Sequence, residues 1–318
     1  MKQEKGKNWD TLFRRTGVVV AAALVCTLLW GSAFPGVKVG YTLFAISEGD
    51  IPSKLVFAGV RFFAAGLLVL AFGWICQKRF PRPKGKAAWG WTALLGLVQT
   101  ALQYLFFYIG LANTTGVKSS ILNATGSFFG VLLAHFFCKG DRMTKQKALG
   151  CLLGFSGCVL VSLSSGGGLA GFSFLGEGFV IFAALSFGVG FVISKRATAL
   201  SDAATVTGWQ LSIGGAVLLL AGLLFGGNLT VTGWQAVLLL AYLAALSAVA
   251  FALWSQLLKC NPVSRISVYN FFVPVFGTAL SVICLGEGIP DWRTPAALAL
   301  VCLGIWVVNR KPAEQGKA

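Results

Sequence analysis

Charged residues are scarce in this sequence, and acidic residues are scarcer than basic ones. Only 11% of the 318 residues are charged, against about 25% in soluble domains, and there are 10 Asp and Glu residues and one histidine. The mean hydropathy is +0.79. This composition argues against a water-soluble enzyme, and the high apolar content argues against an intrinsically disordered chain.

Two familiar sequence frameworks are also missing. The eight cysteines include no Cys-X-X-Cys pair and nearly all fall inside apolar runs, so we interpret them as small buried residues rather than a disulfide framework or a zinc site. The 40 glycines follow no Gly-X-Y period, which excludes collagen. Such frequent glycine is typical of membrane helices that pack closely. No metal and no cofactor are expected.

Long apolar runs with few or no charges are what the sequence has instead. A helix needs about 20 apolar residues to cross a bilayer, and the chain has ten such runs. The first run resembles the core of a signal peptide, but it is longer, lacks a clear cleavage site and precedes nine more runs, so we interpret it as a retained helix. The predicted spans are 17–37, 55–76, 87–112, 117–138, 148–164, 174–194, 203–225, 234–258, 265–285 and 294–309.

The basic residues are distributed unevenly between the two sides of these spans. The formal net charge is +16, a value also found in nucleic-acid-binding proteins. Here, however, 21 of the 26 Lys and Arg residues lie in the two tails and in every second connection. The positive-inside rule then predicts a multi-pass protein of the inner (cytoplasmic) membrane with both termini in the cytoplasm. The expected partners are the lipid bilayer and a small-molecule solute, and no nucleic acid.

The two halves of the chain resemble each other weakly but in the same order. Residues 30–38 align with 187–195, 61–66 with 210–215, and 116–118 with 262–264. Because each repeat has an odd number of spans, the second must be inverted, as in many secondary transporters that alternate access to a site between repeats. The predicted organisation is a first repeat at 17–164, a second at 174–309, and cytoplasmic tails at 1–16 and 310–318.

Several short motifs occur in a fixed order along these spans. They are Leu29-Trp30-Gly31-Ser32-Ala33-Phe34, Arg61-Phe62, Val273-Pro274-Val275-Phe276, Leu285-Gly286-Glu287 and Gly304-Ile305. Over about residues 18–309 the chain resembles EamA-type members of the drug/metabolite transporter superfamily. The resemblance implies an all-α protein of ten transmembrane helices, arranged as two inverted five-helix EamA repeats, that exports small, often amino-acid-like metabolites. Phe128 departs from the family pattern, which often has a proline there to match Pro274.

Arg61 is the strongest single candidate for a binding residue. It lies about 9 Å into the second span at 1.5 Å per residue. An arginine at the centre of a span costs about 2.5–3.5 kcal/mol on insertion scales, and charges inside membranes usually face a cavity. We predict that it anchors a carboxylate or phosphate of the substrate. The alternatives are an arginine that snorkels to the outer interface or pairs with Glu48.

Aromatic and amide side chains within the spans are further candidates. Rings that carry a polar atom suit an amphipathic solute, and a buried amide must bond either another helix or the substrate. Prolines can interrupt helices and free backbone carbonyls beside the substrate path. The predicted substrate-binding residues are Trp30, Arg61, Tyr104, Tyr108, Asn123, Gln210, Trp254, Tyr269 and Asn270, with Pro35 and Pro274 as helix-breaking or gating residues.

Three other residues have two interpretations each. Lys38 and Lys118 lie toward the outer side, where they form either a cationic funnel with Arg61 or a pair of interfacial anchors. His135, the only histidine, is either a proton relay or a packed residue near the inner interface. No acidic residue lies well inside a span, so uniport, exchange and coupling through an acid at a span end stay open.

The sequence therefore predicts a secondary transporter, and not an enzyme, that exports a small organic metabolite such as an amino acid by alternating access. Within transporters the alternative is a carrier for sugar nucleotides or phosphorylated sugars, which more cations in mid-span would favour. An integral-membrane lipid-modifying enzyme would need a cluster of Asp, His or Glu, often with a metal, and a channel would need a repeated selectivity ring.

Overall fold

A computed structural model of the chain describes residues 9–114, 116–164, 172–285 and 292–310. These residues form ten main helices, and no strand occurs among them. The ninth helix is built from three consecutive pieces. The helices are α1 (Thr16–Leu43), α2 (Ile51–Gln77), α3 (Gly85–Ala112), α4 (Gly116–Phe137), α5 (Lys145–Ser164), α6 (Phe174–Leu200), α7 (Ala203–Leu224), α8 (Trp234–Cys260), α9 (Val263–Ser267, Val268–Phe271 and Phe272–Leu285) and α10 (Arg293–Asn309).

The helices begin and end where local chemistry favours it. Asp50 caps α2 by accepting a hydrogen bond from the Ser53 amide at 3.0 Å, and Asp202 caps α7 in the same way through the Thr205 amide at 2.9 Å. After α7 the chain turns at Gly226, whose φ of +85° is in the left-handed region that favours glycine. This turn separates α7 from α8.

The apolar surface of these helices fits a membrane-spanning protein. Six helices within the described residues are long and apolar enough to cross a bilayer, namely α1, α2, α3, α6, α7 and α8. Large apolar side chains such as Phe72 and Ile75 of α2 are 67% and 75% exposed. Such side chains are stable in lipid and not in water, so the protein is a multi-pass membrane protein.

The two halves of the chain pack in the same way. If each helix is replaced by the one five places away in the chain, the same pairs of helices remain in contact. The helices α2 and α7 pack against each other, as do α5 and α10. The pair α4 and α6 is matched by α9 and α1, and the pair α1 and α8 by α6 and α3. The predicted ten-helix architecture of two inverted five-helix repeats is confirmed.

The same exchange is visible in individual contacts. A Cβ atom added to Gly31 of α1 would lie 2.6 Å from the Phe276 Cβ and 2.9 Å from the Gly277 amide nitrogen of α9. In the other half, a Cβ atom on Gly188 of α6 would lie 2.8 Å from the Phe129 Cβ and 2.9 Å from the next amide nitrogen of α4. Aligned glycines thus allow aligned helix pairs to approach closely.

Two of the helices that face each other across the repeats differ in regularity. The second-repeat helix α9 contains a 3-10 turn, Val268–Phe271, whereas α4 is a continuous α-helix over its described residues. Pro274 follows this turn, and its missing N–H leaves the Asn270 carbonyl without its usual helical partner. Pro35, which we predicted to interrupt α1, lies inside a continuous helix. Neighbouring helices can support a proline within a membrane helix.

We call the side on which α1 begins and α10 ends the terminal face, and the side that carries the α1–α2 connection the distal face. Because consecutive helices cross in opposite directions, α1 and α3 end at the distal face, and α4 and α6 begin there. The helices α6 and α8 end at the terminal face. These directions locate the cavity described next.

Candidate functional site

A cavity of about 240 Å³ lies between the two repeats. Its lining comes from the second half of α1, the second half of α3, the start of α4, and single positions of α2, α6 and α8, with a short stretch of α9. The lining residues lie in the middle of the helices and toward the distal face. Of the terminal halves of α1, α6 and α8, Phe251 of α8 is the one residue in the described lining, and it lies close to the middle of its helix.

Arg61 of α2 carries the buried positive charge of this cavity. Its side chain is 3% exposed. The Nε atom donates to the Ser247 Oγ at 3.0 Å and to the Leu243 carbonyl at 3.3 Å, both on α8. Within the described part of the chain these are the hydrogen bonds of the guanidinium group, so its two terminal nitrogens keep their donors for another partner in the cavity. A fixed guanidinium with free terminal N–H groups can bind a carboxylate or phosphate with two parallel hydrogen bonds.

A cluster of aromatic rings forms the end of the cavity nearer the terminal face. The Trp30 ring lies 6.0 Å from the Phe187 ring and 5.3 Å from the Phe251 ring, centroid to centroid. Behind it, Trp254 lies 5.0 Å from Trp30 and 5.8 Å from Phe191. The two contacts of Trp30 with the phenylalanine rings are edge-on, a favourable arrangement, and the two contacts of Trp254 are tilted. They separate the cavity from the terminal face.

A second aromatic group lines the wall formed by α3. The Tyr104 ring lies 4.5 Å from the Phe62 ring, directly beside Arg61, and 6.1 Å from the Tyr108 ring. Tyr41 of α1 completes this side of the cavity. The wall therefore combines apolar ring faces with phenolic hydroxyl groups close to a cation.

Several buried polar atoms around the cavity have no hydrogen-bond partner among the described residues. They are the Trp30 Nε1, the Gln103 Oε1, the Ser119 Oγ and the Asn123 Oδ1. Buried polar groups are nearly always satisfied, and each exception calls for an explanation. A polar solute in the cavity would satisfy them.

Seven of the eleven predicted site residues line this cavity, and four do not. Those that line it are Trp30, Arg61, Tyr104, Tyr108, Asn123, Asn270 and Pro274. Tyr41, Gln103 and Ser119 also line the cavity but were not among the predicted residues. A helical spacing could have found Tyr41, since positions 30, 34, 37 and 41 share one face of α1.

The other four predicted residues, Gln210, Trp254, Tyr269 and Pro35, lie outside the cavity lining. Gln210 is fully buried between α7 and α3, where its Oε1 accepts a hydrogen bond from the Thr100 hydroxyl at 2.8 Å. Trp254 lies one turn beyond Phe251 and packs behind Trp30. Tyr269 is buried next to Asn270 in the chain. It does not line the cavity as Asn270 does, because neighbouring residues of a helix face different directions.

The three residues with two interpretations are distributed over both faces. Lys38 is exposed at the distal mouth of the cavity and lines it. Lys118 lies in the first turn of α4, and its side chain is outside the described residues, as is Glu287 of the motif that ends α9. His135 lies near the terminal face, where its Nδ1 accepts a hydrogen bond from the Met143 amide at 3.0 Å. That bond is a structural contact at a helix end.

The fold and the cavity define a class: a helical membrane transporter built from two inverted repeats. The model of the EamA-like transporter family matches the chain twice, at residues 17–163 and 174–310. The chain belongs to this family of the drug/metabolite transporter superfamily, as its motifs predicted.

Relatives that carry transporter names span most of the chain. It is 29% identical to a WAT1-related chloroplastic protein of Arabidopsis thaliana, covering 88% of this chain and 66% of that protein, which is thus considerably longer. It is 27% identical to an uncharacterized transporter of Synechocystis, covering 93% and 90%. It is also 27% identical to the uncharacterized inner membrane transporter YedA of Escherichia coli K12, covering 94% and 95%.

A solved crystal structure has the same fold. It superimposes with a TM-score of 0.76 over 91% of this chain and 96% of its own chain, at 20% sequence identity. Agreement at this level of identity concerns the fold alone. Together with the family, it makes this chain a multi-pass membrane transporter.

Proposed function

We propose that this protein is a secondary transporter that exports a small organic metabolite, such as an amino acid, from the cytoplasm by alternating access. The observation that carries the proposal is a cavity between inverted repeats that combines one buried guanidinium, unsatisfied polar atoms and an aromatic wall. At about 240 Å³ it is smaller than the roughly 300–1,000 Å³ of pockets for drug-sized ligands, which favours a small solute.

In this proposal Arg61 binds the carboxylate of the substrate. Its Nε is already held by Ser247, so the guanidinium is oriented before the substrate arrives. A preorganised fork loses little side-chain entropy on binding. The amides of Gln103 and Asn123 bind the polar remainder of the solute, and the rings of Trp30 and Tyr104 cover its apolar part.

Alternating access is supported by the difference between the two faces. The cavity extends toward the distal face, whereas the aromatic cluster around Trp254 closes the path to the terminal face. Rocking of one repeat against the other would exchange these two arrangements. The positive-inside rule assigns the terminal face to the cytoplasm, so both tails are cytoplasmic and the present cavity opens outward.

A carrier for phosphorylated sugars or sugar nucleotides is the second candidate. One observation favours it, namely that Lys38 adds a second cation to the lining at the cavity mouth. Two cations would suit a phosphate that carries more charge than a carboxylate.

Counterflow into proteoliposomes would test both candidates with one panel. The solutes are amino acids, organic amines and sugar phosphates, each measured with wild type, Arg61→Gln and Gln210→Leu. We expect an amino acid to exchange, and Arg61→Gln to lower its transport roughly 10- to 100-fold, the equivalent of losing about 1.5–3 kcal/mol of charged hydrogen bonding. Gln210→Leu, at the aligned position outside the cavity, should transport the same solute at nearly the wild-type rate.

Three results would count against the proposal. No exchange of any solute by wild type would contradict the transport function as stated. Exchange of sugar phosphates alone would favour the second candidate. Equal transport by wild type and Arg61→Gln would show that Arg61 serves the fold and not the substrate.

A further inference from the structure

A second concave surface, of about 340 Å³, lies on the terminal face and shares no lining residue with the transport cavity. It is formed where the α2–α3 connection meets the α6–α7 turn and the end of α8. We call it the basic pocket. Its charged lining residues are Arg79, Arg82, Lys84, Lys259 and Asp202.

The charges of the basic pocket are not balanced internally. Lys259 forms an ion pair with Asp10 at 2.9 Å. The Asp202 carboxylate accepts hydrogen bonds from the Thr205 amide and hydroxyl, at 2.9 and 2.6 Å, as the cap of α7. In the part of the chain that the structure describes, the other three cations have no carboxylate within ion-pair distance. The pocket therefore carries uncompensated positive charge.

Hydroxyl groups and a helix end add to the attraction for an anion. Ser201 lines the pocket, and because its hydroxyl oxygen accepts from the Lys84 amide at 3.4 Å, its proton remains for a ligand. Thr205, in the first turn of α7, also lines the pocket, but its hydroxyl already donates to Asp202. This helix of 22 residues starts at the pocket, and its N-terminal dipole adds positive charge there, part of which the capping Asp202 carboxylate offsets. Charged side chains, hydroxyl groups and a helix start are the groups that bind phosphate oxygens.

The neighbourhood of the pocket fixes its depth relative to the membrane. The Trp209 ring lies 4.7 Å from the Trp89 ring and 6.2 Å from the Phe80 ring. Trp74, next to Phe80, is 56% exposed at the end of an apolar helix. Exposed tryptophan at the ends of apolar spans marks the level of the lipid headgroups. The basic pocket thus lies where a lipid phosphate would be.

We propose that the basic pocket binds the phosphodiester headgroup of an anionic membrane lipid. Basic pockets between membrane helices on the cytoplasmic side, to which the positive-inside rule assigns the terminal face, bind such headgroups. The two segments that form the pocket belong to different repeats and already touch, since the Trp209 Nε1 donates to the Pro81 carbonyl at 2.9 Å. A bound headgroup would hold the two repeats together on the terminal face.

Thermal unfolding of the detergent-purified full chain tests this proposal without any transport measurement. Wild type is titrated with phosphatidylglycerol, with phosphatidylcholine and with inorganic phosphate. The pocket variant is Arg79→Gln/Arg82→Gln/Lys84→Gln. The control variant Lys139→Gln/Arg142→Gln/Lys145→Gln removes the same charge from another connection on the same face.

We expect phosphatidylglycerol to raise the melting temperature of wild type and of the control variant, because a ligand that binds only the folded state stabilises it. The pocket variant should lose most of this rise, and phosphatidylcholine should give none. Native mass spectrometry should show fewer retained phosphatidylglycerol molecules on the pocket variant than on the control.

Two outcomes would overturn the assignment. If the two variants lose the rise equally, or if neither loses it, the pocket has no role and only the overall charge of the face matters. If inorganic phosphate reproduces the whole rise at the same concentration, the ligand is a soluble phosphate and not a lipid. Because no flux is measured, these outcomes are independent of the transport proposal.

Discussion

Residues 61 and 210 occupy aligned positions in the two repeats, and the structure gives them related contacts but different surroundings. Arg61 bonds the Ser247 hydroxyl of α8, and Gln210 bonds the Thr100 hydroxyl of α3. Each bond joins the second helix of one repeat to the third helix of the other. However, Arg61 reaches into the cavity, whereas Gln210 is fully buried.

The aligned lysines Lys38 and Lys195 also differ in their surroundings: the first-repeat residue is at the cavity and the second-repeat residue is packed. Lys38 is exposed at the mouth of the cavity on the distal face. Lys195 is half-buried at the terminal face, where its Nζ donates to the Leu258, Lys259 and Asn261 carbonyls at 2.8, 3.2 and 2.6 Å. These carbonyls end α8, so the lysine satisfies groups that a helix end leaves unpaired. The comparison teaches that the contacts between repeats are symmetric while the opening of the two faces is not.

The symmetric contacts provide the prediction with the largest expected effect. Gly31→Ala and Gly188→Ala should each destabilise the protein by about 1–3 kcal/mol, because each added methyl group meets a backbone atom of the partner helix and overpacks the interface. Gly90→Ala is the matched control, since nothing lies within 4 Å of its added Cβ. It should stabilise α3 by up to about 1 kcal/mol.

Thermal unfolding of the three variants checks this prediction. The Gly31→Ala/Gly188→Ala double variant should be less stable than either single variant, because the two methyl groups overpack different helix pairs. If one of the two interfaces tolerates its methyl group and the other does not, the two repeats do not use their aligned glycines in the same way, and the symmetry of the contacts fails.

The asymmetry of the two faces provides a prediction of intermediate size. In Lys195→Met the last turn of α8 loses three charge-assisted hydrogen bonds and should open more often. Cys260 is the last residue of α8 and is half-buried, so it reports this opening. In a background without the other cysteines, its labelling by a maleimide should become roughly five-fold faster, the change that 1 kcal/mol produces.

Lys38→Met is the aligned control for this experiment. It removes the same charge from the opposite face, and the labelling rate of Cys260 should not change. Equal rates in wild type and Lys195→Met would mean that the terminal face is closed by the aromatic cluster alone.

The comparison also explains how much could be predicted from the sequence. The number of spans, their inverted arrangement and the position of Arg61 follow from apolar length, charge distribution and the cost of burying a cation. Trp254 and Gln210 were predicted to bind the substrate because they are an aromatic and an amide side chain inside predicted spans. They lie outside the cavity lining. The sequence could not show this, because residue types do not reveal on which side of the membrane the cavity between two inverted repeats is open. That depends on the packing of whole helices.

The weak pattern of α1 illustrates the same limit. Tyr41 belongs to a helical stripe with Trp30, but in a span that is apolar on every side such a stripe barely stands out. The hydrogen-bond partners of buried groups, such as Ser247 for Arg61, are distant in sequence and become visible only in the fold.

The prediction with the smallest expected effect concerns an acid that holds the terminal face together. Asp141, in the α4–α5 connection, is 4% exposed and forms an ion pair with Lys147 at 2.7 Å. It also accepts hydrogen bonds from the amide of Ser264, at 2.9 Å, and from its hydroxyl at the start of α9. Burial raises the pKa of this carboxyl, but the hydrogen bonds from Lys147 and Ser264 outweigh that effect and hold the pKa below its usual value.

Because the pKa of Asp141 is lower in the folded state than in the unfolded state, its stabilising contribution is complete above its unfolded pKa of about 3.9. The contribution is lost as the pH falls through the folded pKa. Asp141→Asn should therefore lower the melting temperature at pH 7 by about 1–2 °C and should make it depend less on acidification below about pH 4. Lys139→Gln, a charge change in the same connection, should keep the wild-type pH dependence. If wild type and Asp141→Asn lose stability in parallel on acidification, this carboxylate does not help to hold the closed face.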